Sequence, residues 1–310
     1  MTDRIIVLTG GVGGAKLVLG LQQLLDPAHV TAIVNTGDDF THLGLRVSPD
    51  IDTLLYTLSS QANPAQGWGR VDESWNFMSA LRSLGGEDWF SLGDGDLAPH
   101  ILRTLRLVRG ERLSGITADF ARRWGIGMAI LPMSDQPVAT HLETDVGDLR
   151  FQHYFVEQRC RPAVFRIRFE GAAEATPTPG ILAAIGADDT AAILIAPSNP
   201  YLSIDPILAV PGIRDALRTA PAPVVAISPI IGGEAVKGPT AKLMRELGSA
   251  VTPQAVCSHY GDILDGMLVD ERDAANSLGI PYSQCDTVMR TLDDRTRVAA
   301  AALELAERLR

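Results

Sequence analysis

A chain of 310 residues with 46% hydrophobic and 21% charged side chains carries enough apolar material for a large core, which excludes an extended disordered polymer. No apolar run approaches the roughly 18 residues that span a bilayer, and the opening MTDRIIVLTGG enters a strand-like run without a secretory cleavage pattern; a cytoplasmic protein with no membrane partner is expected. The formal net charge of −10 excludes broad nucleic-acid binding, and Cys160, Cys257 and Cys285 are spaced neither as a disulfide framework nor as a zinc motif.

RIIVLT (4–9) reads as a buried strand, residues 14–25 as a helix with Leu17, Leu21, Leu24 and Leu25 at helical spacing, and VTAIVNT (30–36) as a second strand. Strand, helix and strand within about thirty residues make a βαβ unit, hence a parallel sheet with a right-handed crossover. From roughly 72 to 124 the pattern turns helical, and between 127 and 169 runs such as VATHLET and LRFQHYFVE read as antiparallel strands. EGAAEATPTPG (170–180) is the candidate linker back. AAILIAP (191–197) and PVVAISPII (223–231) return to the buried-strand pattern, and the tail DRTRVAAAALELAERLR is helical. The expected fold is α/β: a Rossmann-like parallel sheet core from 1–64 and 176–310, with an inserted helical and antiparallel-strand region over 65–175.

The chemistry gathers in the loops. Between the first strand and helix stand Gly10, Gly11, Gly13 and Gly14, followed by Lys16, a turn whose backbone N–H groups and helix N-terminus suit a phosphate. It matches neither a P-loop, which would need glycine at Ala15 and a hydroxyl at Leu17, nor a clean G-x-G-x-x-G, which would need glycine at Lys16. Lysine is used only at positions 16, 237 and 242, each in or just after a glycine-containing segment. NTGDDFTHLGLRVSPDIDT then places Asn35, Asp38, Asp39, Asp50 and Asp52 at the carboxyl edge of the sheet, where open α/β sheets bind ligands. Four carboxylates beside a phosphate call for a hard cation such as Mg²⁺ or for hydroxyl donors; the alternative is that Asp50 or Asp52 caps the helix TLLYTLSS. LGDGD (92–96), Ser198, Asn199 and Ser203 of APSNPYLSID, and Lys237 of SPIIGGEAVKG extend the set of ligand-ready loops. The chain contains no G-x-S-x-G elbow and no H-x-x-x-H, so covalent serine catalysis and a zinc hydrolase are not expected.

LTGGVGGAKL, VNTGDD, SPDIDTLLYTL, LGDGDLAPHILRT, ILPMSDQPVATHLET, IAPSNPYLSI, SPIIGGEAVKGPTAKLM and VDERD, in this order, closely resemble the 2-phospho-L-lactate transferase family of coenzyme F420 biosynthesis. The resemblance implies an Mg²⁺-assisted enzyme that passes a phospho-acid unit from a guanosine-diphosphate-linked donor to the 5′-hydroxyl of the deazaflavin Fo, releasing GMP. It further implies a homodimer served by a partner guanylyltransferase that makes the donor. Carried over by motif, Gly10, Gly11, Gly13, Gly14 and Lys16 lie by the diphosphate, Ser198 and Asn199 by the nucleotide, and Asp50 and Asp52 by the Fo hydroxyls and the metal. Asn35, Asp38, Asp39 and Lys237 complete the expected substrate contacts, with Asp52 placed ahead of Asp50 or Asp39 as proton acceptor. Ser91 and Gly95 depart from the family pattern, which carries basic side chains there; Arg103 or Arg106 are the candidate substitutes. The competing classes are an NAD(P)- or flavin-dependent oxidoreductase, with Asp38 or Asp39 on the adenine ribose, and a non-catalytic nucleotide-binding regulator of the same fold.

Overall fold

Residues 4–9 are apolar or β-branched after Arg4 and every one after Arg4 is buried, the pattern of a strand covered on both faces. In the computed structural model, which describes residues 3–63, 69–236, 238–275 and 278–310, this run is β1 (Arg4–Thr9) of a seven-stranded sheet. The others are β2 (Val30–Val34), β3 (Ala129–Pro132), β4 (Thr190–Ile195), β5 (Val224–Ile227), β6 (Gly266–Asp270) and β7 (Tyr282–Cys285). The spatial order is β7-β6-β5-β4-β1-β2-β3, with every neighbouring pair parallel. Read from the far edge, 3-2-1-4-5-6 is the strand order of doubly wound dinucleotide-binding folds, extended here by one strand.

Alternate residues of β1 feed two cores. Ile6 and Leu8 join the layer containing Tyr201, Ile204 and Tyr260, whereas Ile5 and Val7 join the layer of the helices α1 (Gly11–Leu24), α2 (Pro49–Leu58) and Leu292–Leu309. Helix α1 and the C-terminal helix approach closely at Gly20, where an added Cβ would lie 2.2 Å from the Arg295 carbonyl oxygen.

Two expectations change. Residues 129–132, expected among antiparallel strands, form the parallel edge strand β3, and of LRFQHYFVE only Leu149 and Arg150 belong to a strand, the end of Gly147–Arg150, before the chain turns helical through Glu157. The region 65–175 therefore supplies a strand of the central sheet. Its remaining parts are α3 (Asn76–Ser83), α4 (Leu97–Val108), α5 (Leu113–Arg123) and the antiparallel sheet Gly147–Arg150, Ala139–Thr144, Val164–Glu170. The expected boundary at 64–65 and Lys237 lie outside the described residues. Among the described residues no helix is long and apolar enough to cross a membrane.

Candidate functional site

The loops after β1 and β4 diverge because the chain winds outward from these two strands in opposite directions, which opens a crevice at their carboxyl ends. A cavity of about 1120 Å³ fills it, running from Gly10–Gly13 and Pro197–Ser203 to Trp89, Phe90 and Phe155.

At one end the glycine turn is itself the first turn of α1, three residues earlier than the leucine spacing predicts. Gly11 has φ +65°, the left-handed region that favours glycine. Added Cβ atoms at Gly13 and Gly14 would fall 2.7 Å from the Pro197 carbonyl oxygen and 2.1 Å from Thr9 Oγ1, so these glycines let the β4 loop close onto the turn. Ser198 clamps the two together: its hydroxyl donates to the Gly10 carbonyl at 2.7 Å and accepts from the Gly10 N–H at 3.3 Å. Asn199 Oδ1 accepts from the Tyr201 and Leu202 N–H groups, which fixes the amide orientation and leaves buried Nδ2 with no partner among the described residues, on the cavity wall. Lys16 Nζ donates to the Met289 carbonyl at 2.7 Å, holding its charge at the cavity edge. Arg272 and Arg290 line the same side; Arg272 is oriented by Asp270 and Asp286. Arg272 belongs to the VDERD block, whereas Arg290 lies in none of the quoted blocks; the folding of β6 and the segment after β7 brings both here.

The expected acidic residues separate into different roles. Asp50 Oδ1 accepts the Gly11 N–H at 2.8 Å and Oδ2 accepts Asn35 Nδ2 at 2.9 Å; Asn35 Oδ1 in turn accepts the Gly37 N–H at 2.7 Å. Asp50 and Asp52 are thus first-turn residues of α2 whose carboxylates point away from capping, and burial pushes Asp50 up to about 6. Asp38 is pushed well above the usual carboxylate range by burial and by the neighbouring Asp50, and its Oδ1 has no partner among the described residues. Asp39 accepts from Ser48 Oγ at 2.6 Å and burial raises it to about 7. Asp52 is committed elsewhere: both its oxygens accept from the guanidinium of Arg103, which is itself buried and also donates to the Arg46 carbonyl. Asp52 is therefore held from behind by Arg103, whereas Asp50 is held by the glycine turn and Asn35.

Asp94 accepts from Ser74 Oγ and from the Asn76 and Phe77 N–H groups, which hold it down at about 2 and make it the anchor of the α3 N-terminus. Asp96 accepts from Tyr56 Oη at 2.5 Å and burial lifts it to about 6. Neither expected arginine replaces the side chain missing at Gly95. Arg103 is buried behind Asp52, and Arg106 pairs with Glu111 and Asp119. Instead Arg70 fills the space: a Cβ on Gly95 would meet its Nη1 at 2.5 Å.

The far end of the cavity is aromatic. Phe40 and Phe90 meet edge to face at 4.8 Å, Trp89 lies 4.5 Å from the His153 ring, and Phe151 stacks on Phe155 at 5.2 Å. Such walls suit a planar ring. Trp89 and Phe90 stand just before LGDGD, a signal the sequence reading passed over.

Among the described residues no group of three or more His, Cys, Asp or Glu side chains is arranged around a single ion position. The donor set nevertheless fits a phosphate-bound cation, because Asp38 and Asp39 each keep a buried carboxyl oxygen without a partner and Asp38 stands against a second carboxylate. Mg²⁺ is commonly held by one or two carboxylates together with substrate phosphates.

The family model described as 2-phospho-L-lactate transferase CofD matches residues 5–308. The chain belongs to the 2-phospho-L-lactate transferase family. Relatives named phosphoenolpyruvate transferase from Streptomyces griseus, Streptomyces coelicolor and Mycolicibacterium smegmatis are 45%, 43% and 40% identical, with 98 to 99% of each chain covered. A UPF0052-family crystal structure from Bacillus halodurans covers 97% of this chain and 99% of its own at 21% identity, with a TM-score of 0.65, and shows the same fold. Membership of a transferase family sets the oxidoreductase reading aside. In this family member the glycine turn, Ser198, Asn199, Asn35, Asp38 and Asp50 come together around one crevice, and Asp52 lines it too while Arg103 holds its carboxylate from behind.

Proposed function

We propose that this enzyme transfers a phospho-acid unit, phosphoenolpyruvate in preference to 2-phospho-L-lactate, from a guanosine-diphosphate-linked donor to the 5′-hydroxyl of Fo in coenzyme F420 biosynthesis. The observation that carries the reading is a single cavity with an anion-ready glycine turn at one end and aromatic walls at the other. The names of relatives at 40 to 45% identity favour the phosphoenolpyruvyl unit.

In the proposed reaction the 5′-oxygen of Fo attacks the phosphorus that carries the acid. The new O–P bond forms, the bridging P–O bond to the guanylate breaks, and GMP leaves with that oxygen. Phosphoryl transfer depends mostly on positioning and charge neutralisation. The turn at Gly10–Gly14, Lys16 and the Asn199 amide hold the diphosphate and nucleotide, and Trp89, Phe90 and Phe155 exclude water from the ring. Asp50, raised towards neutrality by burial, takes the proton of the attacking hydroxyl. Mg²⁺ bound at Asp38, whose Oδ1 has no partner among the described residues, would neutralise the diphosphate charge. The working form is a cytoplasmic homodimer supplied by a partner guanylyltransferase.

The test combines the chain with Fo, GTP, Mg²⁺, the guanylyltransferase and, in separate reactions, phosphoenolpyruvate, 2-phospho-L-lactate or 3-phosphoglycerate. The expected result is GMP release that depends on Fo, with the phosphoenolpyruvyl product identified by mass. Nucleotide binding without Fo-dependent GMP release would instead identify a regulator.

A further inference from the structure

We infer that His100 and Asp96 form a paired site for one secondary hydroxyl of the acceptor's sugar-alcohol chain. The inference rests on the functional reading above and deepens it. Arg103 Nη1 lies 3.3 Å from His100 Nδ1. Nη1 shares its two hydrogens among this nitrogen, Asp52 Oδ2 and the Arg46 carbonyl, and because a guanidinium has only donors, a proton on Nδ1 would point into them; the tautomer protonated on Nε2 is favoured. The nearest carboxylate does not compete for Nδ1, because Asp52 Oδ2 is 3.7 Å away, beyond hydrogen-bond reach, and is already bound by Arg103. Arg103 thereby favours this tautomer, and His100 becomes a donor whose direction is set from behind. The imidazole is buried yet lines the cavity, and its Nε2 has no hydrogen bond to any described residue.

Asp96 stands four residues earlier, at the N-cap of α4, and i and i+4 side chains share one helix face. Its carboxylate does not cap its own helix. One oxygen is engaged by Tyr56 Oη, while the other has no hydrogen bond to a described residue, and the side chain lines the same cavity. A donor beside an acceptor matches a hydroxyl, which both accepts and donates; a ring carbonyl or a phosphate oxygen would use only the histidine. The position agrees. Tyr56 lies six residues after Asp50 on α2, about 9 Å along the helix axis from the residue that holds the glycine turn, and it lines the cavity with Asp96 and His100. A polyol joining a phosphate-accepting terminus to a planar ring would pass this wall.

The experiment measures binding of Fo by its own fluorescence and binding of GDP separately, for the unaltered chain, His100→Leu and His100→Gln. Glutamine carries an amide donor near the position of imidazole Nε2. His100→Leu is expected to weaken Fo binding about tenfold and GDP binding less than twofold, with His100→Gln restoring Fo binding to within about threefold. Fo analogues each lacking one secondary ribityl hydroxyl supply the second arm: one analogue should bind the unaltered chain about tenfold more weakly than Fo but bind His100→Leu no more weakly than Fo does. Equal weakening of Fo and GDP, or a His100→Gln variant that melts normally yet binds Fo no better than His100→Leu, would overturn the pair. Analogues that all lose the same factor in both proteins would overturn it as well. Failure of the unaltered chain to bind Fo would overturn the functional reading itself, a result distinct from failure of the pair.

Discussion

Arg103 on α4 donates both terminal nitrogens to Asp52 on α2, and the guanidinium is only 1% exposed. The pair joins α2, whose Asp50 holds the Gly11 N–H of the glycine turn, to α4, which follows Trp89 and Phe90 of the aromatic wall. It also converts a presumed site carboxylate into half of a buried ion pair.

Breaking such a pair leaves an uncompensated charge in a low-dielectric interior, at a cost of about 3 to 5 kcal/mol. Asp52→Asn is therefore expected to lower the melting temperature markedly, and Arg103→Leu to do the same. The sequence-based cap reading expects Asp52→Asn to melt like the unaltered chain. Thermal unfolding followed by circular dichroism decides between them; an unchanged midpoint for both variants would mean that the pair contributes nothing to stability.

Asp50 has a different burden. Its carboxylate holds the Gly11 N–H and the Asn35 amide and lies at the phosphate end of the cavity. Asp50→Asn is expected to reduce turnover of Fo by roughly a hundredfold, the scale for a positioned proton acceptor or charge-stabilising group. Steady-state rates at saturating Mg²⁺ supply the check. Near-normal turnover would move the proton-accepting role to Asp38 or Asp39.

Lys16 is tethered to the Met289 carbonyl at the cavity edge rather than turned to solvent. Lys16→Ala should weaken the guanosine-linked donor about tenfold while leaving Fo affinity nearly unchanged, because the donor carries phosphate and Fo carries none. Separate titrations of the two ligands test this, and comparable losses for both would place Lys16 in a structural role.

Asp39 gives the pH dependence. Folded Asp39 keeps its proton up to about pH 7 because burial disfavours the charged form, whereas an unfolded aspartate releases it near pH 4. Between those values the folded state binds more protons, so this residue's contribution to stability is greatest below about pH 4 and is lost as pH rises towards about 7. The fall in melting temperature between about pH 5 and about pH 8 should shrink in Asp39→Asn. Identical pH profiles for the two proteins would show that Asp39 titrates normally.

The sequence by itself determined the frame. RIIVLT and VTAIVNT carry buried strands because periodicity and β-branching are local properties, and the glycines that follow RIIVLT mark the close approach that Gly13 and Gly14 make to Pro197 and Thr9. The same local signals placed Ser198, Asn199 and Asp50 on loops and helix starts at the carboxyl edge of the sheet. Only the tertiary structure decided what each carboxylate does. Asp52 meets Arg103 across 51 positions, Asp94 meets Asn76 across 18, and Asp38 is left buried beside Asp50. The edge strand Ala129–Pro132 joins the parallel sheet through its pairing with β2, nearly a hundred residues away. A carboxylate's charge, basicity and freedom to bind depend on the donors that folding brings within about 3 Å of it, and those donors are set by long-range packing rather than by the residues on either side.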